Sequence, residues 1–270
     1  MLDKKANIGT EIITCEDWIE DYFHAANKKT AVVGISGGVD SAVVAALCAE
    51  ALGKNVIGVM MPIDGDVGRD EVKLIRQLGI RPIETNLSDT YKAICNDVSN
   101  SRGMFTIGFS GLTNDNTSQK DTDIINGNVK ARLRMVNLYS IAAACNGLVV
   151  GTTNKSEAAI GYATKFGDGG VDIEPIQDFY KTEVYQLAEE FDLPTSIISK
   201  PPSAGLWEGQ TDEEELGFTY EELDEYLQLN EKGTPELGTW STELLIKIEN
   251  MIKNNKHKNL NIPYYKREVK

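Results

Sequence analysis

Two rhythms of apolar residues alternate along this chain. Short β-branched runs are separated by stretches with apolar positions three and four apart. Residues 11–28 carry Ile12, Ile13, Trp18, Ile19, Tyr22 and Phe23 and predict an amphipathic helix. Residues 30–35 are almost wholly apolar and predict a strand buried on both faces, as in a parallel sheet. Residues 42–52 are apolar nearly all round, which marks a buried helix, and Gly53 follows as its stop. Residues 55–61 predict a second buried strand. Residues 69–78 predict a helix, with Val72, Leu74, Ile75 and Leu78 apolar, and 83–87 a third, weaker strand. The β-α-β-α-β order implies a parallel sheet with right-handed crossovers.

The rhythm breaks at 99–127, a stretch rich in Ser, Asn, Thr, Gly and Asp. So long a loop in a compact domain is expected to be functional or mobile. A helix is predicted over 128–144, a buried strand over 148–152, a short helix over 154–160 and a glycine-rich loop over 166–170. Residues 181–191 space Val184, Leu187, Ala188 and Phe191 for one helix face. Residues 212–225 carry eight carboxylates and read as a solvated helix and loop rather than a metal cluster. A last helix is predicted over 241–252, and the tail from 253 carries six Lys/Arg against one Glu. The expected architecture is α/β: a doubly wound parallel sheet flanked by helices, with a helical C-terminal appendage, over 1–270 as one domain.

Composition narrows the class. With 41% hydrophobic and 25% charged residues, the 270-residue chain reads as globular rather than disordered. A net charge of −14 argues against a broad nucleic-acid or anionic-membrane surface. A small phosphorylated ligand stays open, because a pocket can invert the local charge. Cys15, Cys48, Cys95 and Cys145 form no C-x-x-C pair and read as reduced thiols of a cytoplasmic protein. His24 and His257 are too few for a histidine-rich metal site. Neither a signal peptide nor a membrane span is expected.

The strongest chemical signal is Gly34-Ile35-Ser36-Gly37-Gly38-Val39-Asp40-Ser41, between a predicted strand and a predicted helix. Glycines permit a sharp turn and close approach of backbone to ligand. Amides and two hydroxyls at a helix N-terminus then favour an anion. The loop lacks the lysine of the Walker A motif and does not fit the dinucleotide glycine fingerprint. It carries an aspartate instead. A carboxylate beside phosphates is repulsive unless a cation intervenes, so Asp40 points to Mg²⁺.

This loop resembles that of the ATP pyrophosphatases, enzymes that split ATP between the α and β phosphates. Further segments resemble the NAD synthetase family within that group, in its ammonia-dependent form. They are 128–135, 151–157, 165–172, 175–181, 200–207 and 212–217, with a weaker echo at His257-Lys258. The resemblance runs from about residue 30 to 230. It implies ATP-dependent amidation of deamido-NAD with ammonia, through an acyl-adenylate, to NAD, AMP and pyrophosphate.

By the same resemblance, residues 34–41, Thr152, Lys181 and Ser203 contact ATP, and Asp40 and Lys181 serve catalysis. Ser203 stands where the family often has threonine. Asp40 and Glu157 are the implied Mg²⁺ carboxylates. Arg132, Lys165, Asp172, His257 and Lys258 are the implied deamido-NAD contacts; the residues after Lys258 depart from the family's basic sequel. A homodimer is expected, and the apolar helix around 130–146 reads equally as an interface element or as core. Only about 30 residues precede the loop strand, so no glutaminase domain is expected; a separate glutaminase partner is not indicated. Segments 99–127 and 204–215 are expected to order on ligand binding. The competing readings are another ATP pyrophosphatase, such as a tRNA-modifying enzyme, and a nucleotide-sensing module without catalysis. The missing C-x-x-C and the acidity weigh against the first. Retention of Asp40 and Glu157 weighs against the second.

Overall fold

The computed structural model describes residues 4–100, 119–203, 205, 209–234, 240–260, 262, 263 and 265. A four-stranded parallel sheet lies at its centre, in the order β3-β2-β1-β4. The strands are β1 (Thr30–Gly34), β2 (Val56–Met60), β3 (Arg81–Glu84) and β4 (Gly147–Val150). The register pairs Val33 with Gly58 of β2 and with Val150 of β4. One further parallel bridge joins Val150 to Ile173, so the segment from 172 to 174 runs beside β4.

Side chains alternate between the two faces of each strand, and each face has its own cover. Ala31, Val33, Val56, Met60, Leu148 and Val150 pack beneath α1 (Lys4–Ala25), α2 (Val39–Leu52), α3 (Arg69–Leu78) and α7 (Lys181–Glu190). Val32, Ile57, Val59 and Val149 pack against α4 (Ser88–Asn100) and α5 (Gln119–Ala144). Residues 42–48 of α2 are all buried, as an all-round apolar helix requires. Gly79 ends α3 in the left-handed region at φ +65°.

Beyond the sheet come α6 (Lys155–Ile160), α8 (Thr195–Ile198), α9 (Asp212–Leu216), α10 (Tyr220–Glu231) and α11 (Thr242–Asn255). A second apolar cluster of Ile160, Tyr180, Leu216, Phe218, Tyr220, Leu223, Leu227 and Ile248 packs α9, α10 and α11 onto α6 and the start of α7. The helical appendage therefore rests on the two helices whose first turns carry Glu157 and Lys181.

Several expectations are corrected. The stretch read as one loop over 99–127 is bounded by helices: α4 runs to Asn100 and α5 starts at Gln119, nine residues before the predicted start at 128. Residues 101–118, the middle of that stretch, lie outside the described residues, as do 204 and 206–208 of the second expected mobile segment. Strand β3 starts and ends earlier than 83–87. The acidic stretch is not wholly solvated, since Asp212 and Asp224 are 3% and 2% exposed.

The chain leaves β1 towards β2 on one side, while β4 sits on the other. The sheet order thus reverses between β1 and β4. Ligands of open α/β sheets bind beyond the strand C-termini at such a point. The loop after β1 and the turn after β4 both end there.

Candidate active site

The glycine loop is held by its own hydroxyls. The Ser36 amide donates to Ser41 Oγ at 3.3 Å, the Gly38 amide to Ser36 Oγ at 3.2 Å, and Ser41 Oγ donates to the Gly38 carbonyl at 3.0 Å. Gly37 sits at φ +75°, where a side chain is strained. This turn places Asp40 in the first turn of α2.

Opposite it, after β4, Asn154 caps α6 in a capping box with Glu157. Asn154 also donates its Nδ2 to Asp40 Oδ1 at 2.9 Å. One buried asparagine therefore registers the two carboxylates against each other. Between them lies Lys181, 2% exposed, with Nζ 2.6 Å from Asp40 Oδ2 and 3.2 Å from Glu157 Oε1. The Tyr220 ring covers the ammonium at 5.0 Å. The Tyr220 hydroxyl turns away and donates to Asp212 Oδ2 at 3.1 Å, and Tyr162 donates to Asp212 Oδ1 at 3.2 Å.

The electrostatics follow from burial and sign. Burial alone would lower Lys181, but Asp40 and Glu157 outweigh it and hold the ammonium above its ordinary value. Burial pushes the Glu157 carboxyl up; Lys181 opposes this, and Asp40 and Asp212 add to it. Burial and the surrounding carboxylates also raise the Tyr220 phenol, which stays protonated.

Behind this triad the helix starts are tied together. Ser156 donates to Asp224 Oδ1, and Ser156 Oγ accepts the Lys181 amide at 2.9 Å. The Thr182 amide donates to Asp224 Oδ2 at 2.9 Å. Asp224 of α10 thus caps α7 with a negative charge and fixes α6 beside it. A cavity of about 280 Å³ opens next to Lys181, lined by Thr182, Tyr185, Lys200, Pro202 and Glu213 among others.

The residues expected to meet substrate form a second group. Arg132 Nη2 donates to the Lys165 carbonyl at 3.2 Å, and Lys165 Nζ to the His257 carbonyl at 2.9 Å. Lys258 Nζ donates to the Gly161 carbonyl at 2.8 Å, at the C-terminal end of α6. The exposed Asp172 accepts the Val149 amide at 2.8 Å and the Tyr139 hydroxyl at 3.2 Å. The His257 ring lies 3.0 Å from the Asn254 carbonyl and makes no contact with this group among the described hydrogen bonds. Ser203 Oγ accepts the Gly205 amide at 3.1 Å, one residue beyond Pro202 of the cavity wall. Thr152 is half-buried and lies two residues beyond β4, which ends at Val150 rather than at the predicted 152.

Asp40, Glu157 and Lys181 are therefore brought into one cluster, and Arg132, Lys165 and Lys258 into another. Sequence reasoning missed Asn154, Asp212, Tyr220, Ser156 and Asp224. The Asn154 signal was present: an asparagine three residues before a glutamate at a helix start. Asp224 also had one, since it shares a helix face with Tyr220, Leu223 and Leu227.

A parallel sheet with a glycine loop and paired carboxylates at its reversal point defines a Rossmann-like α/β protein of the ATP pyrophosphatase type. Residues 11–262 match the family described as NAD synthase, and the chain belongs to that family. It is 40% identical over 249 residues to the NH(3)-dependent NAD(+) synthetase of Finegoldia magna, covering 90% of this chain and 92% of that one. It is 44% identical over 250 residues to the enzyme of the same name from Methanocaldococcus jannaschii, covering 89% and 90%. The solved structure of NMN synthetase from Francisella tularensis superposes with a TM-score of 0.81 at 31% identity, covering 96% of this chain and 98% of that one.

Proposed function

We infer that this chain is a C–N bond-forming ligase that amidates deamido-NAD with ammonia at the expense of ATP, yielding NAD, AMP and pyrophosphate. The observation that carries this is the Asp40–Lys181–Glu157 cluster at the sheet's reversal point, in a chain of the NAD synthase family. The nicotinate carboxylate oxygen attacks the α-phosphorus of ATP and pyrophosphate leaves. Ammonia then attacks the acyl carbon, and AMP leaves with the oxygen that joined them.

The chain's own residues bind, orient and neutralise. Loop amides and hydroxyls of residues 36–41 receive the phosphates at the start of α2. Lys181, rooted at the start of α7, supplies positive charge to the leaving pyrophosphate. That position opposes the helix dipole, so it needs the carboxylates to hold it in the ligand-free protein. Arg132, Lys165 and Lys258 offer cations to the dinucleotide, and Thr152 and Ser203 offer hydroxyls to ATP.

Asp40 and Glu157 present hard oxygen donors towards one cation, a set that fits Mg²⁺ shared with nucleotide phosphates. When bound there, Mg²⁺ supplies charge neutralisation to the phosphates. Three further proposals accompany the reading: one domain over 1–270, a homodimer, and a cytoplasmic location. Exposed Ile124, Ile125 and Val136 on α5 support the homodimer. The four cysteines, none of them in a disulfide, support the location. No helix among the described residues is long and apolar enough to cross a membrane.

The similarity to the NMN synthetase of Francisella tularensis favours one second reading, amidation of nicotinate mononucleotide. Steady-state kcat/KM for deamido-NAD and for nicotinate mononucleotide, each with ATP and ammonium, decides between them. The reading predicts the dinucleotide as the better substrate by at least tenfold; a preference for the mononucleotide would replace it with the second.

A further inference from the structure

We propose that Lys181 is a resident counter-cation that fills the divalent-metal position of the ligand-free enzyme, so that metal enters only together with nucleotide. The inference rests on the reading of Asp40 and Glu157 as metal carboxylates and adds an order of events to it.

Each carboxylate has one oxygen tied away. Asp40 Oδ1 accepts Asn154 Nδ2 at 2.9 Å, and Glu157 Oε2 accepts the Asn154 amide at 3.4 Å. Their other oxygens, Asp40 Oδ2 and Glu157 Oε1, face one common point. The Lys181 nitrogen sits there, 2.6 and 3.2 Å from them. A magnesium-sized ion shared by the same two oxygens would stand about 2.1 Å from each. Ammonium and metal ion therefore compete for the same space, and their charges repel at that range.

The cage also accounts for why the ammonium stays. The Tyr220 ring closes another side at 5.0 Å, and the side chain is 2% exposed. The Lys181 backbone cannot drift, because its amide is held by Ser156 Oγ at 2.9 Å. The flexible four-carbon stem can swing. The cavity of about 280 Å³ at its side, which Lys200 also lines, gives it a second place. Phosphates arriving there offer the ammonium new anionic partners. The two carboxylates, released together, then need another cation. Without phosphates, a divalent ion would have to expel a buried lysine from two carboxylates towards a cavity wall where Glu213 already accepts the Tyr220 amide at 3.1 Å.

The test uses Mn²⁺ as probe, with binding read from the electron paramagnetic resonance of free Mn²⁺. Wild type, Lys181→Met, Lys181→Arg and the Lys181→Met/Asp40→Asn double variant are titrated with and without α,β-methylene-ATP. The expected result is Mn²⁺ binding by wild type and Lys181→Arg only with the nucleotide analogue. Lys181→Met should bind Mn²⁺ without it at least tenfold more tightly than wild type, and the double variant should lose that gain. The proposal is overturned if nucleotide-free wild type binds Mn²⁺ as tightly as Lys181→Met. It is equally overturned if Lys181→Met gains nothing. Should Lys181→Met fail to fold by circular dichroism, wild type and Asp40→Asn decide: nucleotide-free Mn²⁺ binding that Asp40→Asn abolishes overturns the proposal. Absence of any Asp40-dependent Mn²⁺ binding, even with the analogue, fails the metal reading itself.

Discussion

Replacing Asp224 by alanine tests whether the buried tie behind the active site does what its geometry says. Asp224 is 2% exposed and accepts hydrogen bonds from the Ser156 hydroxyl and the Thr182 amide. The substitution takes that acceptor from the buried Ser156 hydroxyl and from the amide of half-buried Thr182. A bond to a charged acceptor contributes about 1.5–3 kcal/mol. Part of this is offset, because the variant no longer buries a carboxylate. The expected net loss is about 3 kcal/mol, or roughly 6–9 °C in melting temperature for a chain of this size. Asp224→Asn keeps the shape, and the Ser156 hydroxyl can turn to accept, so about half of that loss is expected. Ser156→Ala and the double variant complete a cycle with a coupling of about 1 kcal/mol or more. Urea unfolding at 25 °C gives the stabilities, and single-turnover AMP formation gives the catalytic effect. Because Ser156 also holds the Lys181 amide, the rate should fall in Asp224→Asn at saturating ATP. A stability for Asp224→Ala within about 0.5 kcal/mol of wild type, or additive variants, would refute the reasoning.

Three further expectations follow from other parts of the molecule. Burial pushes the Glu174 carboxyl up to about 7, though the Thr153 amide and hydroxyl at 3.1 and 3.0 Å oppose it. Its folded value lies above its unfolded one, so its contribution is full below about pH 4.5 and is lost as pH rises through 7. Glu174→Gln should therefore lessen the fall in stability between pH 5 and 8 by up to about 3 kcal/mol; parallel urea profiles for both proteins would contradict this. Gly161 lies at φ +63°, and a Cβ there would stand 2.4 Å from Asn255 Cβ. Gly161→Ala should cost on the order of 2 kcal/mol and, by displacing Lys258, raise KM for deamido-NAD more than for ATP. Burial raises the Cys15 thiol to about 11 and Cys48 further, so iodoacetamide at pH 8 should label Cys95 and Cys145 first, as mass spectrometry can read.

The elements legible in the sequence are those whose packing is one-sided or total. β1, β2, β4 and α2 are buried runs, and α3 and α7 carry clear apolar stripes, so their patterns announce them. α4 escaped because its helix is mostly polar, with Tyr91 and Ile94 as its partly buried apolar contacts. The first turns of α5 escaped because Asp, Thr, Asn and Gly127 read as loop, yet no proline stops the helix there. β3 shifted because it is an edge strand containing Pro82, with three of its four residues exposed. At the candidate site, the glycine loop and Asp40 were legible from residue type and spacing, because turn, helix start and carboxylate are adjacent in the chain. Glu157 and Lys181 came only from resemblance, since an isolated Glu or Lys on a helix carries no local sign of what faces it. Of the partners, Asn154 left a capping pattern and Asp224 a helix-face position, neither of which names what the side chain faces, and Asp212 was hidden by polarity. A buried carboxylate looks like a solvated one until its tyrosine or amide donors, here 8 to 50 residues away, are placed against it.

The central claim is that the nicotinate carboxylate is activated by AMP before ammonia displaces it. Deamido-NAD labelled with ¹⁸O in that carboxylate tests it most directly, turned over with ATP, Mg²⁺ and ammonium and followed by mass spectrometry of AMP. The account predicts one ¹⁸O in each AMP formed, with NAD appearing in equal amount and neither product formed when glutamine replaces ammonium. Unlabelled AMP, or label carried into pyrophosphate, would contradict it.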